Sequence, residues 1–204
     1  MRHLTLALIA ATLVAPAQAA PSSKPNDAAA LAKVHNLARC AVTRRPDKIR
    51  DLLRLDYTSK AYADRLWWEA QRQWNCLDAG ALRFGNVVFA GALAEQLVER
   101  ESRLAARLAE AGSPALQPVV ARSEADAMAF CTVRAEPEKT SLLLATAPGS
   151  PDEKRVIATL GPVLGKCLRA GAKGTFNAAG IRSLLALAAW RLLDNRALYA
   201  SQAR

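Results

Sequence analysis

One stretch of this 204-residue chain occurs twice, and this repeat constrains the fold more than any other feature. Residues 40–48 read CAVTRRPDK, and residues 131–139 read CTVRAEPEK. The same offset of 91 residues carries Cys76 onto Cys167, so 35 residues separate the two cysteines of each copy. A duplicated cysteine pair at a fixed spacing indicates one folding unit that is used twice.

The first 19 residues are typical of an export signal. Arg2 precedes an apolar run at 4–14, and Ala17-Gln18-Ala19 matches a small-x-small cleavage site. The run is well short of the roughly 20 residues that span a bilayer, and no later segment is long and apolar enough. We therefore expect a signal peptide at 1–19, no transmembrane segment after its cleavage, and a periplasmic or secreted protein.

All four cysteines lie in the part of the chain that remains after this cleavage. Exported proteins reach oxidising compartments, where cysteines form disulfides. The duplication favours Cys40–Cys76 and Cys131–Cys167, because each copy then closes its own bridge. The two disulfide pairings that join the copies are also consistent with the repeat, so the sequence does not exclude them. With no C-x-x-C spacing and one histidine after cleavage, no metal site is expected.

Apolar residues recur at helical spacing along the first copy, as at Leu31, Val34 and Ala38. Pro46 marks the start of a second, short helix, and a third is expected from residue 59 or 60 to Cys76. Asn86 is predicted to cap a fourth helix, which runs as far as Leu108. Alternation typical of strands does not extend beyond a few residues.

The same plan recurs after a segment at 111–118 that contains one glycine and two prolines. Ser123, Ser150 and Asn177 each occupy a position typical of a helix N-cap. We predict an all-α fold of two homologous, disulfide-stapled helical units of about four helices each, packed as a pseudo-symmetric pair. The first unit is predicted at 20–112, a linker at 113–122 and the second unit at 123–204.

The chain is strongly basic, with a formal charge of +10 that falls to +9 when residues 1–19 are removed. Such a balance favours anionic partners. The basic residues are scattered among acids, which is typical of a solvated surface. An envelope protein or an anionic surface is the partner class that this balance favours, whereas export disfavours nucleic acid.

A tryptophan-rich segment at 67–74 (WWEAQRQW) distinguishes the first copy from the second. Trp67 and Trp74 are seven residues apart and share a helix face, so they are expected to fill the core of the first copy. The alternative is a partly exposed surface of Trp67, Trp68, Arg72 and Trp74 that grips a sugar, lipid or protein partner. The second copy has alanine and glycine at the positions of Trp67 and Trp74.

No catalytic or cofactor-binding constellation is predicted. His35 is the one histidine after cleavage and is expected to be a partly buried helix residue. Residues 161–167 (GPVLGKC) imitate a phosphate loop, but they are one residue short and lie within a predicted helix. Four acids could supply a hydrolytic pair, although a surface or cap role is expected for each: Asp64, Glu69, Asp78 and Glu95.

The pattern Cys-x-Val-x-Arg-Arg-Pro at 40–46, a Leu-Leu pair, a distal Cys-Leu and ALAEQL at 92–97 resemble a group of uncharacterised exported bacterial proteins. That group is similar in its signal peptide and its two-cysteine helical repeat. The second copy departs from the pattern at Ala135 and Glu136, where the arginines are lost. The resemblance implies a compartment and a fold, and no activity.

The function class that the sequence favours is a non-enzymatic interaction or envelope-associated protein with a preference for anionic surfaces. One alternative is a small-ligand or sugar-binding protein that uses the segment 67–74. A second alternative is a hydrolase with a carboxylate pair.

Overall fold

A computed structural model describes residues 28–77, 82–113, 119–169 and 176–202, and for Trp74 and residues 196–202 it describes the backbone alone. All regular structure in these ranges is helical, which confirms the all-α prediction. The predicted signal peptide lies outside them. The helices are α1 (Ala28–Arg44), α2 (Pro46–Arg54), α3 (Lys60–Arg72), α4 (Asn86–Val98), α5 (Leu104–Ala111), α6 (Glu124–Ala135), α7 (Pro137–Ala145), α8 (Pro151–Cys167) and α9 (Ala178–Gln202).

Position-matched serines begin the third helix of each copy. The Ser59 hydroxyl accepts a hydrogen bond from the Tyr62 N–H at 3.1 Å, and the Ser150 hydroxyl accepts one from the Glu153 N–H at 3.1 Å. Each serine satisfies one of the backbone donors that the first turn of a helix leaves free. A proline occupies the first helical position of α2 and of α7, where its missing N–H removes no helical hydrogen bond.

Two disulfides, Cys40–Cys76 and Cys131–Cys167, join cysteines 36 positions apart. This is the pairing that the duplication favours. Each bridge ties the first helix of a copy to the end of its third: α1 to the 3₁₀ turn Trp74–Cys76, and α6 to the last residue of α8. Closing a loop of this size removes conformations from the unfolded chain, a contribution of about 4 kcal/mol.

The helix predicted from Asn86 to Leu108 is two helices. The first ends at Val98, and the second begins after Arg103, whose φ of 58° lies in the left-handed region. No glycine or proline marks this break in the sequence. Leu108 and Ala111 are buried where α5 packs on α7 and α9, so tertiary packing overrides local helix propensity.

The two copies meet along α4 and α9. Every residue of α4 from Phe89 to Val98 is buried. Gly91 approaches Ser183 so closely that a Cβ atom added to the glycine would lie 2.4 Å from the serine Cα. The contact therefore requires a residue without a side chain at position 91. A pseudo-symmetric relation between the copies, and the unit boundaries at 112 and 123, stay predictions.

Gly91→Ala should lower the free energy of unfolding by about 1–3 kcal/mol, because the added methyl group forces α4 and α9 apart. Urea unfolding followed by circular dichroism measures this change. Gly161→Ala in α8 is the matched control, since a Cβ atom there meets nothing within 4 Å. The control should gain roughly 0.5–1 kcal/mol from the better helix former. Equal gains in both variants would contradict the close approach of α4 and α9.

Candidate functional site

Helix α3 presents two adjacent tryptophans to solvent. Trp67 is 55% exposed and Trp68 is 57% exposed, and their ring centroids lie 4.7 Å apart in an edge-on contact. The expectation that Trp67 fills the core is therefore wrong. The side chain of Trp74, the third aromatic of the predicted surface, lies outside the described residues. Arg72, the fourth member of that surface, is exposed.

The buried stripe of α3 lies beside the face that carries Trp67. It comprises Tyr62, Leu66 and Glu69 and continues into Gln73, at steps of four, three and four residues. Trp67 follows Leu66 by one position, which is about 100° around the helix axis. Spacing alone did not separate these two neighbouring faces, because both carry large apolar residues.

Arginines of the repeated motif hold the polar members of this stripe. Nη1 of Arg45 donates to both carboxylate oxygens of Glu69, at 3.0 and 3.3 Å. Nη1 of Arg44 donates to Oε1 of Gln73 at 3.3 Å. The second copy has alanine and glutamate at the two arginine positions, so it cannot form this arrangement. Paired in this way, a glutamate and a glutamine can face inward, and the tryptophans remain outside.

A groove of about 440 Å³ lies between α2 and α3. Trp68 lines it, and Arg65 and Arg72 stand three residues before and four residues after this tryptophan. That spacing places the three side chains on one face of α3. Lys48 lines the groove from α2. The remaining lining residues are Arg45, Asp51, Leu52 and Glu69.

The groove carries an excess of positive charge, because four cations and two acids line it. Both acids are already paired, Glu69 with Arg45 at 3.0 Å and Asp51 with Arg54 at 3.5 Å. Three lining cations have no ion-pair partner among the described residues: Lys48, Arg65 and Arg72. Unpaired cations around an exposed indole make this groove attractive to an anion.

Three of the groove residues have no counterpart in the second copy. At the offset of 91, the second copy has valine, threonine and valine in place of Arg65, Trp68 and Arg72. The copies therefore share their caps, bridges and core positions but not this surface. The sequence indicated the segment, and the structure adds Lys48 and Arg65, which lie outside it.

A second group of charged side chains is buried where α4, α7, α8 and α9 meet. Arg182 is 2% exposed. Its Nη2 and Nε donate to the two oxygens of Glu95 at 2.6 and 2.8 Å, and its Nη1 donates to Glu153 at 3.2 Å. The same guanidinium donates to main-chain carbonyls at the end of α7, those of Leu143, Leu144 and Thr146. A surface or cap role for Glu95 is therefore wrong.

Sequence reasoning missed this group as a unit. Glu95 and Arg182 are charged residues that lie among apolar residues in their helices. A charged residue in such a stretch is the sequence signal that could have indicated a buried ion pair. Glu153 lies in the first turn of α8, where it also accepts a hydrogen bond from the Gly149 N–H at 2.7 Å. All these contacts are made inside the protein, so the group holds helices together.

His35 lies beside this buried group, with Nδ1 3.6 Å from Oε1 of Glu95. Burial lowers the pKa of His35 to about 4, and the charges of Arg182 and Arg39 act in the same direction. The Glu95 carboxylate does not reverse the shift, because Arg182 already neutralises it. Burial alone would lower the pKa of Arg182, but the hydrogen bonds and charges of Glu95 and Glu153 outweigh it and raise that pKa.

The acids considered for hydrolysis are engaged elsewhere. Asp64 pairs with Lys60 at 2.6 Å on the surface, Glu69 pairs with Arg45, and Glu95 pairs with Arg182. Asp78 lies outside the described residues. These contacts give the hydrolase alternative no support. Residues 161–167 form the end of α8, so they do not form a phosphate-binding loop.

Across the described ranges, no group of three or more histidine, cysteine or acidic residues could hold a metal ion. Nor does any helix there have the length and apolarity needed to cross a membrane. Comparisons with protein-family models, curated proteins and solved structures found no match for this chain. The resemblance to exported bacterial proteins with a two-cysteine repeat stays a prediction.

Stability should fall as the pH is lowered from about 6.5 to about 4, because His35 takes up a proton in the unfolded chain before it does so in the folded one. The loss should approach about 3 kcal/mol over that range. His35→Gln removes the titrating imidazole, so the unfolding free energy of this variant should depend less on pH. Carboxylates titrate in both proteins and cancel in the comparison. Parallel pH profiles from urea unfolding would contradict a buried, neutral His35.

Proposed function

We propose that this chain is a non-enzymatic exported protein that binds an acidic saccharide in the groove between α2 and α3. The observation that carries the proposal is the exposed indole of Trp68 set between Arg65 and Arg72 in a concave surface. Neither arginine has an ion-pair partner among the described residues.

The groove combines the two contacts that an acidic sugar needs. An indole face offers a large, flat apolar surface on which the C–H face of a sugar ring can stack. A guanidinium presents parallel N–H donors that match a carboxylate or sulfate group. The volume of about 440 Å³ is within the usual range for a small-ligand site.

The proposed compartment agrees with this ligand class. Two disulfides suit a protein that folds in an oxidising compartment. The predicted export signal leads to the same location. Acidic polysaccharides are present in the cell envelope and outside the cell, so an exported basic protein meets them.

A second function, docking on an anionic lipid surface, is favoured by Trp67. Its indole is as exposed as that of Trp68, but it does not line the groove. A pair of exposed tryptophans beside arginines would suit the interface between lipid headgroups and water. The two functions differ in whether Trp67 takes part in binding.

Titration calorimetry with an oligogalacturonate at low salt should show saturable binding, and a neutral malto-oligosaccharide should bind more weakly. Trp68→Ala should lower the affinity about tenfold, because stacking on a central aromatic side chain is lost. Arg72→Gln should lower it about two- to fivefold, since one exposed charge contact is lost. Added salt should weaken the binding further.

Two variants serve as matched controls. Trp67→Ala removes an equally exposed tryptophan outside the groove, and Arg155→Gln removes an exposed arginine of α8. Both should bind the oligogalacturonate like the unaltered protein. Equal losses from Trp67→Ala and Trp68→Ala, together with binding to phosphatidylglycerol vesicles, would favour lipid docking. Absence of binding to both probes at low salt would overturn the proposed function.

A further inference from the structure

A second cavity lies between the two copies, away from the groove described above. Its volume is about 230 Å³, and residues of α2, α3 and α4 line it together with residues of α6 and α9. Most of its wall is apolar, and Val87, 42% exposed, is among the lining residues. The other apolar lining residues are Leu53, Tyr62, Ala90, Leu184 and Leu187.

The wall of this cavity includes an unsatisfied polar group. Tyr57 lines the cavity, and its hydroxyl is buried without a hydrogen-bond partner among the described residues. A buried hydroxyl that makes no hydrogen bond is costly, so such groups are rare in folded proteins. The hydroxyl is closed off from the cavity in the free protein, so a ligand oxygen would accept a hydrogen bond from it after the Tyr57 side chain shifts toward the cavity.

A cation lies over the same tyrosine. The guanidinium carbon of Arg122 lies 5.9 Å from the centroid of the Tyr57 ring, and Nη1 of Arg122 donates to the Leu55 carbonyl at 3.0 Å. Among the described residues, the ion-pair partner of its guanidinium is Asp56, which is solvent-exposed and 3.7 Å away. Water screens this exposed ion pair and makes it weak, so the guanidinium of Arg122 can still attract another anion.

The other charges that line the cavity neutralise each other. Nη1 of Arg191 donates to both oxygens of Asp126, at 2.9 and 2.7 Å, and the Arg122 backbone N–H donates to Asp126 at 2.9 Å. The acid is therefore satisfied by groups of the protein. An anionic ligand group would meet Arg122 and Tyr57 without facing an unpaired carboxylate.

We infer that this cavity binds a small monocarboxylic acid with an apolar body, such as a medium-chain fatty acid or an aromatic acid. The carboxylate accepts a hydrogen bond from the Tyr57 hydroxyl near Arg122. The apolar body packs against Leu53, Leu184 and Leu187. The volume is below the range of drug-sized sites, which selects a short ligand. This inference is independent of the saccharide groove.

Titration calorimetry of the whole chain with octanoate tests the inference. One equivalent should bind, and octylamine of equal length should bind more weakly because its charge is opposite. Phenylpropanoate should bind as octanoate does, whereas hexadecanoate should bind more weakly because its chain is too long for the cavity. Tyr57→Phe removes only the hydroxyl and should weaken octanoate binding about tenfold, the effect of one lost hydrogen bond to a charged group.

A second variant tests the location. Leu184→Trp should fill the cavity and abolish octanoate binding, while thermal unfolding monitored by circular dichroism shows that the chain is folded. Trp68→Ala is the control, because it alters the groove and should leave octanoate binding unchanged. The inference is overturned if the folded protein shows no octanoate binding at millimolar concentration. It is equally overturned if Tyr57→Phe binds octanoate as tightly as the unaltered chain.

Discussion

The fold depends on one buried cation, Arg182 of α9. Its guanidinium bonds Glu95 of α4, Glu153 of α8 and the carbonyls that end α7, so a single side chain ties three helices to a fourth. An arginine can be buried only when its charge is paired and its donors are satisfied. Both conditions are met, and Arg182 consequently fixes how the helices of the second copy lie against α4.

This framework places the two candidate sites differently. The groove beside Trp68 is built within the first copy. Arg45 joins the start of α2 to α3, and the disulfide ties the end of α3 to α1. The cavity beside Tyr57 exists because α4 and α9 meet, so it depends on contacts between the copies. The positions that the copies share carry the scaffold, whereas the groove lies at residues that differ between the copies and the cavity lies where the copies meet.

Local and spacing signals made part of this structure predictable from the sequence. The helical class, the serine caps and the disulfide pairing each follow from residues close in sequence or related by the repeat. The outward orientation of Trp67 was not predictable, because the buried face with Leu66 also carries the polar residues Glu69 and Gln73. Nor was the buried group predictable, since Glu95 and Arg182 are 87 positions apart and neither is repeated. Contacts of that kind arise only when the helices pack.

The free energy of unfolding of Arg182→Met, measured in urea at neutral pH, tests the central claim most directly. Removing this cation leaves Glu95 and Glu153 buried without their partner. The account predicts a loss of about 3–5 kcal/mol, the usual effect of breaking a buried ion pair. A variant within about 1 kcal/mol of the unaltered protein, the range of an exposed ion pair, would contradict it.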